Sequence, residues 1–470
     1  MTLKLQNIEQ LAQISLDDVL KAYRAGTIDP VEVHDLTREQ IERVNPQINA
    51  LYAYDPQLSR QQAKDAALRW KRGTTHGMLD GVPVTIKDSI GMRATTWHHG
   101  SAAHAQGRLV QIDTPPIERL RQAQAMIIAK TTMPDFGASA SGVSSYFGIT
   151  RNPWRLDLSP GGSSSGAGAS LAAGIGLFAL GTDIAGSVRL PAAQCGLAAI
   201  KPTHGLIAHS PASDVRSVGI MARSAQDLTS ALRVVSGVHP RDRYSVPLWI
   251  NTTLPASMRI KSYLDFGFGM PVDPEIQSCF ERCCESLRQH GFLIRPGTPH
   301  YDFDAYAPID TLLKLRTWFE YTQAEHAEKT PDALKRWCAD AAQMSATQIL
   351  HVQAEIQQGI EQSQHLFEEA DVIMTPVSPV LSFPATALGP DETMPLRHCS
   401  FCAPFNQSGH PAVVIHAGLS TTGLPIGIQL VGQRFSDLLL IQLAVRIEQQ
   451  LRAQTGPIIW PLQPQTEACI

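Results

Sequence analysis

Three side chains stand in sequence contexts that could support nucleophilic catalysis. Lys87 ends an apolar run, Ser163 follows two glycines, and Ser187 ends the run Gly-Thr-Asp-Ile-Ala-Gly-Ser. A serine hydroxyl is a poor nucleophile until a base removes its proton, and no histidine adjoins either serine. A neutral lysine can serve instead. Free lysine titrates near 10.4, so only about one in a thousand is neutral at pH 7.5, but burial can lower that pKa by several units.

Two other functions could explain the glycine-rich stretch around Ser163: phosphate binding and an α/β-hydrolase active site. A phosphate-binding loop needs lysine six residues after its first glycine, but Ala167 stands there after Gly161 and Gly166. The run Gly-Ser-Ser-Ser-Gly also matches the nucleophile elbow of an α/β-hydrolase, which would make Ser164 the nucleophile. That elbow requires a strand immediately before it, and the polar residues around Pro160 argue against one.

Metal chemistry finds little support in the pattern of histidines and cysteines. The motif H-E-x-x-H is absent, and His98 and His99 are adjacent, a spacing that does not put two imidazoles on one helical face. Cys399 and Cys402 form one C-x-x-C pair without the second pair that a zinc site would need. We therefore predict no metal and no cofactor. We interpret the cysteines as buried or free thiols, typical of the reducing cytoplasm.

Composition limits the class of partner. Of the 470 residues, 43% are hydrophobic and 17% are charged, and the formal net charge is −4. This balance disfavours electrostatic capture of nucleic acid or of an acidic membrane. The N-terminus lacks the basic and apolar regions of a signal peptide, and the longest apolar stretch, 167–180, is broken by glycine. We predict a cytoplasmic protein without a membrane or nucleic-acid partner.

Helices and strands alternate along the chain, which favours α/β layering. Helical spacing runs over 16–23 and 30–44, and a strand pattern over 81–86 ends at Lys87. A helix is predicted over 117–125 and a buried strand over 126–129. Strand composition returns at 372–376 and 424–431, and a closing helix is predicted over 438–451. The segment 240–365 is polar and helical, and resembles an excursion from the core.

The order of these motifs resembles the amidase signature family. The likeness covers nearly the whole chain except about 240–365. The segments that carry it, besides the two serine motifs, are Gly81-Val-Pro-Val-Thr-Ile-Lys-Asp88, Lys130-Thr-Thr-Met-Pro-Asp135, Arg151-Asn-Pro-Trp154, Lys201-Pro-Thr203, Met221-Ala-Arg-Ser224 and Gly423-Leu-Pro-Ile-Gly-Ile-Gln-Leu-Val-Gly432.

The resemblance implies a fold and a domain plan. The fold is one α/β domain over residues 1–470, with a large mixed sheet between helical layers. Residues 1–70 would form N-terminal helices and 75–235 the signature core. Residues 240–365 would form a variable, mostly helical part that shapes the substrate site, and 366–470 would complete the core.

The resemblance also assigns roles to the three side chains. Ser187 is the nucleophile, Ser163 the bridging serine after a cis peptide bond, and Lys87 the base. Backbone N–H groups of the turn before and at the nucleophile would form the oxyanion hole, and these belong to Ile184, Ala185, Gly186 and Ser187.

Further residues receive supporting roles. Met133 and Phe136 would line the substrate pocket with Ser163. Ser164 would support the glycine turn. We expect Asp183 to be structural, accepting N–H groups of the turn or pairing with Arg189.

Several positions leave more than one interpretation open. His98 and His99 could shape a pocket, although an exposed loop is slightly favoured. Aromatic residues of the excursion, such as Phe266 and Trp318, could form a lid or pack the excursion's own core. The family commonly has glycine at positions 165 and 185, where this chain has Ser165 and Ala185. An alanine that needed φ > 0 would be strained by about 1 kcal/mol or more.

The sequence therefore predicts a hydrolase that cleaves carbon–nitrogen acyl bonds of small amides, with anilides and carbamates or urethanes as further candidates, through an acyl-serine. The main alternative is a glutaminase like the A subunit of a tRNA-dependent amidotransferase, which works with partner subunits. An α/β-hydrolase-type esterase is another. The oligomeric state stays open, with a homodimer as one option.

Overall fold

One mixed sheet of eleven strands forms the centre of the computed structural model, which describes residues 5, 7–250, 253–255, 257–298 and 301–465. Two strand pairs lie outside it. The strands of the described residues are β1 (Leu51–Tyr52), β2 (Pro83–Lys87), β3 (Thr96–Trp97), β4 (Arg108–Leu109), β5 (Met126–Thr131), β6 (Val143–Ser144), β7 (Gly148–Ile149), β8 (Phe178–Asp183), β9 (Ala198–Lys201), β10 (Ser217–Ala222), β11 (Arg259–Ser262), β12 (Leu293–Pro296), β13 (Val372–Pro376), β14 (Ala412–Leu419) and β15 (Pro425–Gly432). The order in the large sheet is β1-β5-β2-β8-β10-β9-β14-β15-β13-β11-β12.

Helices surround this sheet, and short 3₁₀ turns link several of them. The α-helices of the described residues are α1 (Ile8–Gln13), α2 (Leu16–Ala25), α3 (Pro30–Ile48), α4 (Pro56–Arg72), α5 (Pro115–Gln122), α6 (Ser165–Ala172), α7 (Arg189–Gln194), α8 (Ala225–Val235), α9 (Pro274–Gln289), α10 (Ala307–Thr322), α11 (Asp332–Cys338), α12 (Ala346–His365), α13 (Pro404–Gln407) and α14 (Asp437–Thr455). The 3₁₀ turns are Ala102–His104, Asp135–Gly137, Ala327–Lys329, Ala339–Gln343 and Arg397–Cys399.

Local sequence signals explain where the first helices begin and end. Ser15 accepts a hydrogen bond from the N–H of Asp18 and caps α2, and Gly26 ends that helix in the left-handed conformation. Asp29 and Glu32 form a capping box around the first turn of α3. The predicted helices at the N-terminus therefore exist, and they cover part of the core.

The arrangement of β2, β5 and β8 brings Lys87 close to the segment that follows β8. Strand β2 lies between β5 and β8 and runs parallel to both. Parallel strands end at the same edge of a sheet, so Lys87 at the end of β2 lies beside the segment that follows β8. Strand β10 runs antiparallel to β8, and its first residue, Ser217, pairs with Asp183. One edge of the sheet thus gathers segments that are up to 130 residues apart in the chain.

Two groups of helices pack on the sheet. Helix α6, made almost entirely of small residues, packs on β2, β5 and β8 and contacts α7. Glycine is required in α6 at Gly166, where a Cβ atom would lie 2.3 Å from the carbonyl oxygen of Ala50. Helices α8 and α14 contact each other and cover β9, β10 and β14. The expectation of an α/β domain with a large mixed sheet and helical layers is confirmed.

The segment 240–365 holds helices α9 to α12 and also contributes two strands that the sequence did not predict. Strands β11 and β12 come from it and extend the large sheet, because β11 pairs in parallel with both β12 and β13. Helix α9 packs on β13, β14 and β15, with Cys279, Cys283 and Cys284 buried. These strands have four residues each and lie near the sheet edge. Polar residues in these two strands therefore stay partly exposed, and they make the strands harder to recognise in the sequence.

No helix among the described residues is long and apolar enough to cross a membrane. The seven cysteines in the described part of the chain are all free and buried.

Candidate active site

Lys87 is buried at the carboxyl end of β2, where every strand residue is buried. Its Nζ atom donates a hydrogen bond of 2.8 Å to the Oγ atom of Ser163. It also lies 3.2 Å from the Oγ1 atom and 3.4 Å from the carbonyl oxygen of Thr182. Burial lowers the pKa of Lys87 to about 7, against the opposing charge of Asp183. A substantial fraction of this lysine is therefore neutral at pH 7 and can accept a proton.

The turn that carries Ser163 depends on two glycines and a cis peptide bond between Gly162 and Ser163. Gly161 has φ of +78°, and a Cβ atom on Gly162 would lie 2.4 Å from the carbonyl oxygen of Ser141. No other residue fits at Gly162. Ser163 is 3% exposed and lines a cavity at the edge of the sheet. The turn thus aims the Ser163 hydroxyl at both Lys87 and the cavity.

Ser187 lines the same cavity and lies in the turn after β8. The backbone carbonyl of Ser187 accepts a hydrogen bond of 3.0 Å from the N–H of Ser164, which ties the two serine motifs together. Among the described residues, no hydrogen bond joins the hydroxyls of Ser163 and Ser187. Catalytic hydrogen bonds of unliganded enzymes are often long and tighten when the substrate binds.

Asp183 holds the shape of the turn that carries Ser187, the candidate nucleophile. Its carboxylate accepts hydrogen bonds from the N–H groups of Gly186 at 2.7 Å and Val188 at 3.0 Å. It also pairs with the fully buried guanidinium of Arg189 at 3.0 Å. Burial alone would raise the pKa of Asp183, but Arg189 and these N–H groups hold it well below its usual range. Asp183 therefore fills both of the structural roles that its sequence position left open.

Gly186 cannot serve the oxyanion hole in the way that the sequence motif suggests, because its N–H is already donated to Asp183. In the described part of the chain, the N–H groups of Ile184, Ala185 and Ser187 donate to no protein group. Donors of this kind, aimed at developing negative charge, are what an oxyanion hole requires. The candidate hole is therefore reduced to three N–H groups.

The two departures from the family pattern are compatible with this geometry. Ala185 does not have positive φ, so the anticipated strain is absent. Gly186 has φ of +118°, and a Cβ atom there would lie 2.8 Å from the Cβ atom of Cys402. Ser165 is buried in the first turn of α6, with its hydroxyl 3.5 Å from the carbonyl oxygen of Thr132. The position of this turn that requires glycine is therefore 186 and not 185.

A buried polar network lies behind the turn, and the sequence motifs did not indicate it. Arg189 donates to the side chains of Gln429, at 2.7 Å, and Asn406. The Nδ2 atom of Asn406 in turn lies 2.9 Å from the carboxylate of Asp183. Gln429 sits in the middle of β15, which is otherwise apolar. A polar residue in such a strand is the signal that could have revealed it.

The α/β-hydrolase elbow is not formed. No strand of the described residues directly precedes Gly162, since the preceding elements are the short bridges around Asn152 and Leu158. Ser164 is fully buried, and its hydroxyl lies 3.4 Å from the carbonyl oxygen of Thr182. A substrate carbonyl cannot reach Ser164 there.

Over the described ranges, no group of three or more His, Cys, Asp or Glu side chains could hold a metal ion.

The walls of the cavity agree with two expectations and contradict a third. Met133 and Phe136 line it, as proposed from the resemblance. His99 also lines it and is 5% exposed, so the interpretation of His98 and His99 as an exposed loop is wrong. His98 is buried too and stacks on Tyr146 with ring centroids 3.9 Å apart. The loop is buried because neighbouring aromatic rings cover it, which spacing alone cannot reveal.

Helix α10 closes the cavity, but not with the aromatic residues that the sequence suggested. Trp318 packs against Tyr321 with ring centroids 5.0 Å apart, and Phe266 packs in a separate cluster with Tyr301 and Phe401. Neither Trp318 nor Phe266 lines the cavity. The cavity-facing residues of α10 follow helical spacing and are mostly polar: Leu313, Arg316, Thr317 and Glu320. With Arg216, these residues form a second part of the site that the sequence motifs did not indicate.

A family profile and curated relatives match most of the chain. A sequence profile of the Amidase family matches residues 32–441. The A subunit of Glutamyl-tRNA(Gln) amidotransferase from Roseiflexus sp. (strain RS-1) is 31% identical over 480 residues, which cover 92% of this chain and 95% of that protein. The protein of the same name from Symbiobacterium thermophilum is 31% identical over 478 residues, covering 90% and 94%.

Solved structures share the fold. A 6-aminohexanoate cyclic dimer hydrolase superposes with a TM-score of 0.85 at 26% identity, covering 97% of this chain and 99% of that one. A bacterial aryl acylamidase of the amidase signature family gives a TM-score of 0.84 at 24% identity, covering 95% and 99%. At that identity the second likeness shows the fold alone. The profile match and the sequence relatives confirm the prediction made from the motifs: the chain belongs to the amidase signature family of hydrolases.

Proposed function

We propose that the chain hydrolyses an amide carbon–nitrogen bond through a covalent acyl-Ser187 intermediate. The observation that carries the proposal is the 2.8 Å contact between the Nζ atom of Lys87 and the Oγ atom of Ser163, beside a cavity that Ser187 also lines. A lysine whose pKa is lowered to about 7 can act as a base at neutral pH. Serine needs such a base to become a nucleophile.

The proposed acylation moves one proton along this path. The Oγ atom of Ser187 attacks the amide carbonyl carbon and gives its proton to Ser163, which passes its own proton to neutral Lys87. The N–H groups of Ile184, Ala185 and Ser187 stabilise the negative charge on the carbonyl oxygen, each contributing roughly 2.7–4 kcal/mol in comparable sites. When the carbon–nitrogen bond breaks, the proton returns through Ser163 to the leaving amine.

Deacylation repeats the same steps with water. Lys87 accepts a proton from water through Ser163, and the resulting hydroxide attacks the acyl carbon. The tetrahedral intermediate collapses and the carboxylic acid leaves, while Lys87 gives the proton taken from water back through Ser163 to the Oγ atom of Ser187. The site returns to its starting state, so no external oxidant, reductant or cofactor is consumed.

The substrate class has two candidates. A stand-alone hydrolase would accept simple amides, anilides or carbamates. A glutamine-hydrolysing subunit would release ammonia to a partner chain. The second candidate is favoured by the comparisons, because the relatives that match at about 30% identity carry the name of the A subunit of Glutamyl-tRNA(Gln) amidotransferase. Both candidates cleave an amide by the same chemistry, so the choice concerns the leaving group and the partner.

One pair of experiments tests the shared chemistry. We expect kcat/KM to rise with pH through about 7 and to level off on the alkaline side, as Lys87 loses its proton. A histidine base would also make kcat/KM rise and level off in a similar pH range, so the profile alone does not identify the base. The profile is therefore paired with Lys87→Ala, which should reduce kcat by several orders of magnitude. Wild-type turnover by Lys87→Ala would disprove the proposed base.

A second experiment separates the two candidates. The chain is expressed alone, sized by chromatography, and assayed with glutamine, primary amides, anilides and p-nitrophenyl carbamates. A stand-alone hydrolase turns over one of the simple substrates without help. A protein of the amidotransferase type shows weak glutaminase activity alone and a large increase when partner subunits are added. An inactive protein under both conditions would count against the proposed chemistry itself.

A further inference from the structure

The wall of the cavity contributed by β10 and α10 carries two arginines. Arg216 directly precedes β10, and because Ser217 pairs with Asp183, the register sets Arg216 opposite Ile184 in the nucleophile turn. Arg316 lies on α10, which packs against the turn Asp135–Gly137. Both arginines line the cavity that Ser163 and Ser187 line. Their guanidinium groups therefore share one space with the proposed nucleophile.

Few negatively charged groups lie near Arg216 and Arg316. Neither guanidinium has a carboxylate within ion-pair distance in the part of the chain that the structure describes. The Nη1 atom of Arg216 lies 3.4 Å from the Nε2 atom of His209, a buried histidine whose pKa burial lowers to about 3. His209 is therefore neutral and cannot offset the charge. Burial and the charge of Arg316 both lower the pKa of Arg216, while Glu320 opposes this shift.

Glu320 is the single carboxylate among the described residues that line the cavity. Its Oε2 atom lies 3.1 Å from the Nδ1 atom of His99. Burial alone would raise the pKa of Glu320, but His99, Arg216 and Arg316 together lower it. Glu320 is therefore ionised. Two arginines against one carboxylate leave the cavity with an excess positive charge even when His99 is neutral.

A guanidinium group that is removed from bulk water is stabilised by a nearby group of opposite charge. In this cavity a carboxylate on the substrate can be that group. We infer that the preferred substrate is an amide whose far end carries a carboxylate, bound by Arg316 and Arg216. The planar guanidinium matches a carboxylate with two parallel hydrogen bonds. Met133, Phe136 and Leu313 line the same cavity and offer apolar contacts to a short chain that joins the amide to the carboxylate. This inference rests on the proposed amide hydrolysis.

Matched pairs of substrates test the inference. The anionic members are succinamate, glutaramate and adipamate, and each is compared with a neutral amide in which isopropyl replaces the carboxylate, such as 6-methylheptanamide for adipamate. Binding is measured by calorimetry on Ser187→Ala, so that this readout does not require turnover. Where wild-type turnover is detectable, kcat/KM is compared for the same pairs.

We expect at least one anionic member to bind at least about tenfold more tightly than its neutral partner. Arg316→Met should reduce that preference to near one, and Arg316→Lys should restore part of it. Lys314→Met is the matched control, because Lys314 lies on the same helix, pairs with Asp310 and does not line the cavity. It should keep the preference.

Equal or tighter binding of every neutral partner, or a preference that survives Arg316→Met, would overturn the inference. The proposed hydrolysis would still stand if the neutral amides were turned over through Ser187. The reverse result, tight binding of a carboxylate amide without any acyl-enzyme or turnover, would disprove the hydrolysis and leave the anionic subsite intact.

Discussion

Replacement of Lys87 by methionine should abolish turnover and make the folded protein more stable. Burial lowers the pKa of this lysine from 10.5 to about 7. The unfolded chain therefore binds more protons at this position than the folded chain does between those two values. Each pKa unit corresponds to about 1.4 kcal/mol, so the penalty that Lys87 imposes on folding is about 5 kcal/mol below pH 7.

The pH dependence follows from the same shift. The penalty is complete below pH 7, where both states are protonated, and falls by about 1.4 kcal/mol per pH unit as pH rises towards 10.5. Methionine removes this penalty but leaves Ser163 and Thr182 without the lysine donor, which costs roughly 1–3 kcal/mol. The variant should thus gain about 2 kcal/mol or more at pH 6.5, and less at pH 8.5.

Urea unfolding at pH 6.5, 7.5 and 8.5 measures the effect on the wild type, Lys87→Met and Lys64→Met. Lys64 is exposed, so its replacement should change the unfolding midpoint little at any pH. A Lys87→Met variant that is less stable than the wild type at pH 6.5 would refute the folding penalty assigned to Lys87. A stability difference that does not change with pH would refute it equally, since the lysine would then keep an ordinary pKa.

Three further changes test other parts of the site. Asp183→Asn should cost about 3–5 kcal/mol in urea unfolding, because it leaves the buried Arg189 without a counter-charge; an unchanged midpoint would contradict this role. Gly186→Ala should lower kcat more than it raises KM and should lower the melting temperature, because φ is +118° and the new Cβ atom would lie 2.8 Å from that of Cys402; wild-type kinetics would contradict the need for glycine. Prolonged treatment with EDTA should leave turnover unchanged, because the proposed nucleophile and base are side chains; a loss that zinc restores would contradict the serine mechanism.

The sequence predicted those elements whose signals are local. The helical spacing over 16–23 and 30–44 coincides with α2 and α3, which Ser15 and Asp29 cap, and the strand pattern before Lys87 coincides with β2. Two glycines precede Ser163 in the sequence, and in the structure Gly162 lies so close to the backbone of Ser141 that a Cβ atom would not fit. Backbone conformation and short-range hydrogen bonds determine these features, and residue type alone reports on both.

The polar half of the cavity could not be predicted, because its burial arises from contacts between distant segments. On α10, Arg316 and Glu320 resemble the exposed face of a helix in sequence. They face the cavity only because α10 packs against the turn Asp135–Gly137. Arg216 enters the site through the pairing of β10 with β8. The hydrogen bond from the Gly186 N–H to Asp183 likewise depends on the geometry of the turn, which the pattern of glycines does not specify.

The central claim, that Ser187 carries the acyl group, is tested most directly by trapping the intermediate. A fluorophosphonate probe is reacted with the wild type, Ser187→Ala and Ser164→Ala, and the labelled residue is assigned by peptide fragmentation in a mass spectrometer. The tryptic peptide that ends at Arg189 holds several serines, so its total mass alone does not identify the site. We expect the label on Ser187, no label and no turnover in Ser187→Ala, and labelling retained in Ser164→Ala. A label on Ser164, with Ser187→Ala still active, would contradict the account.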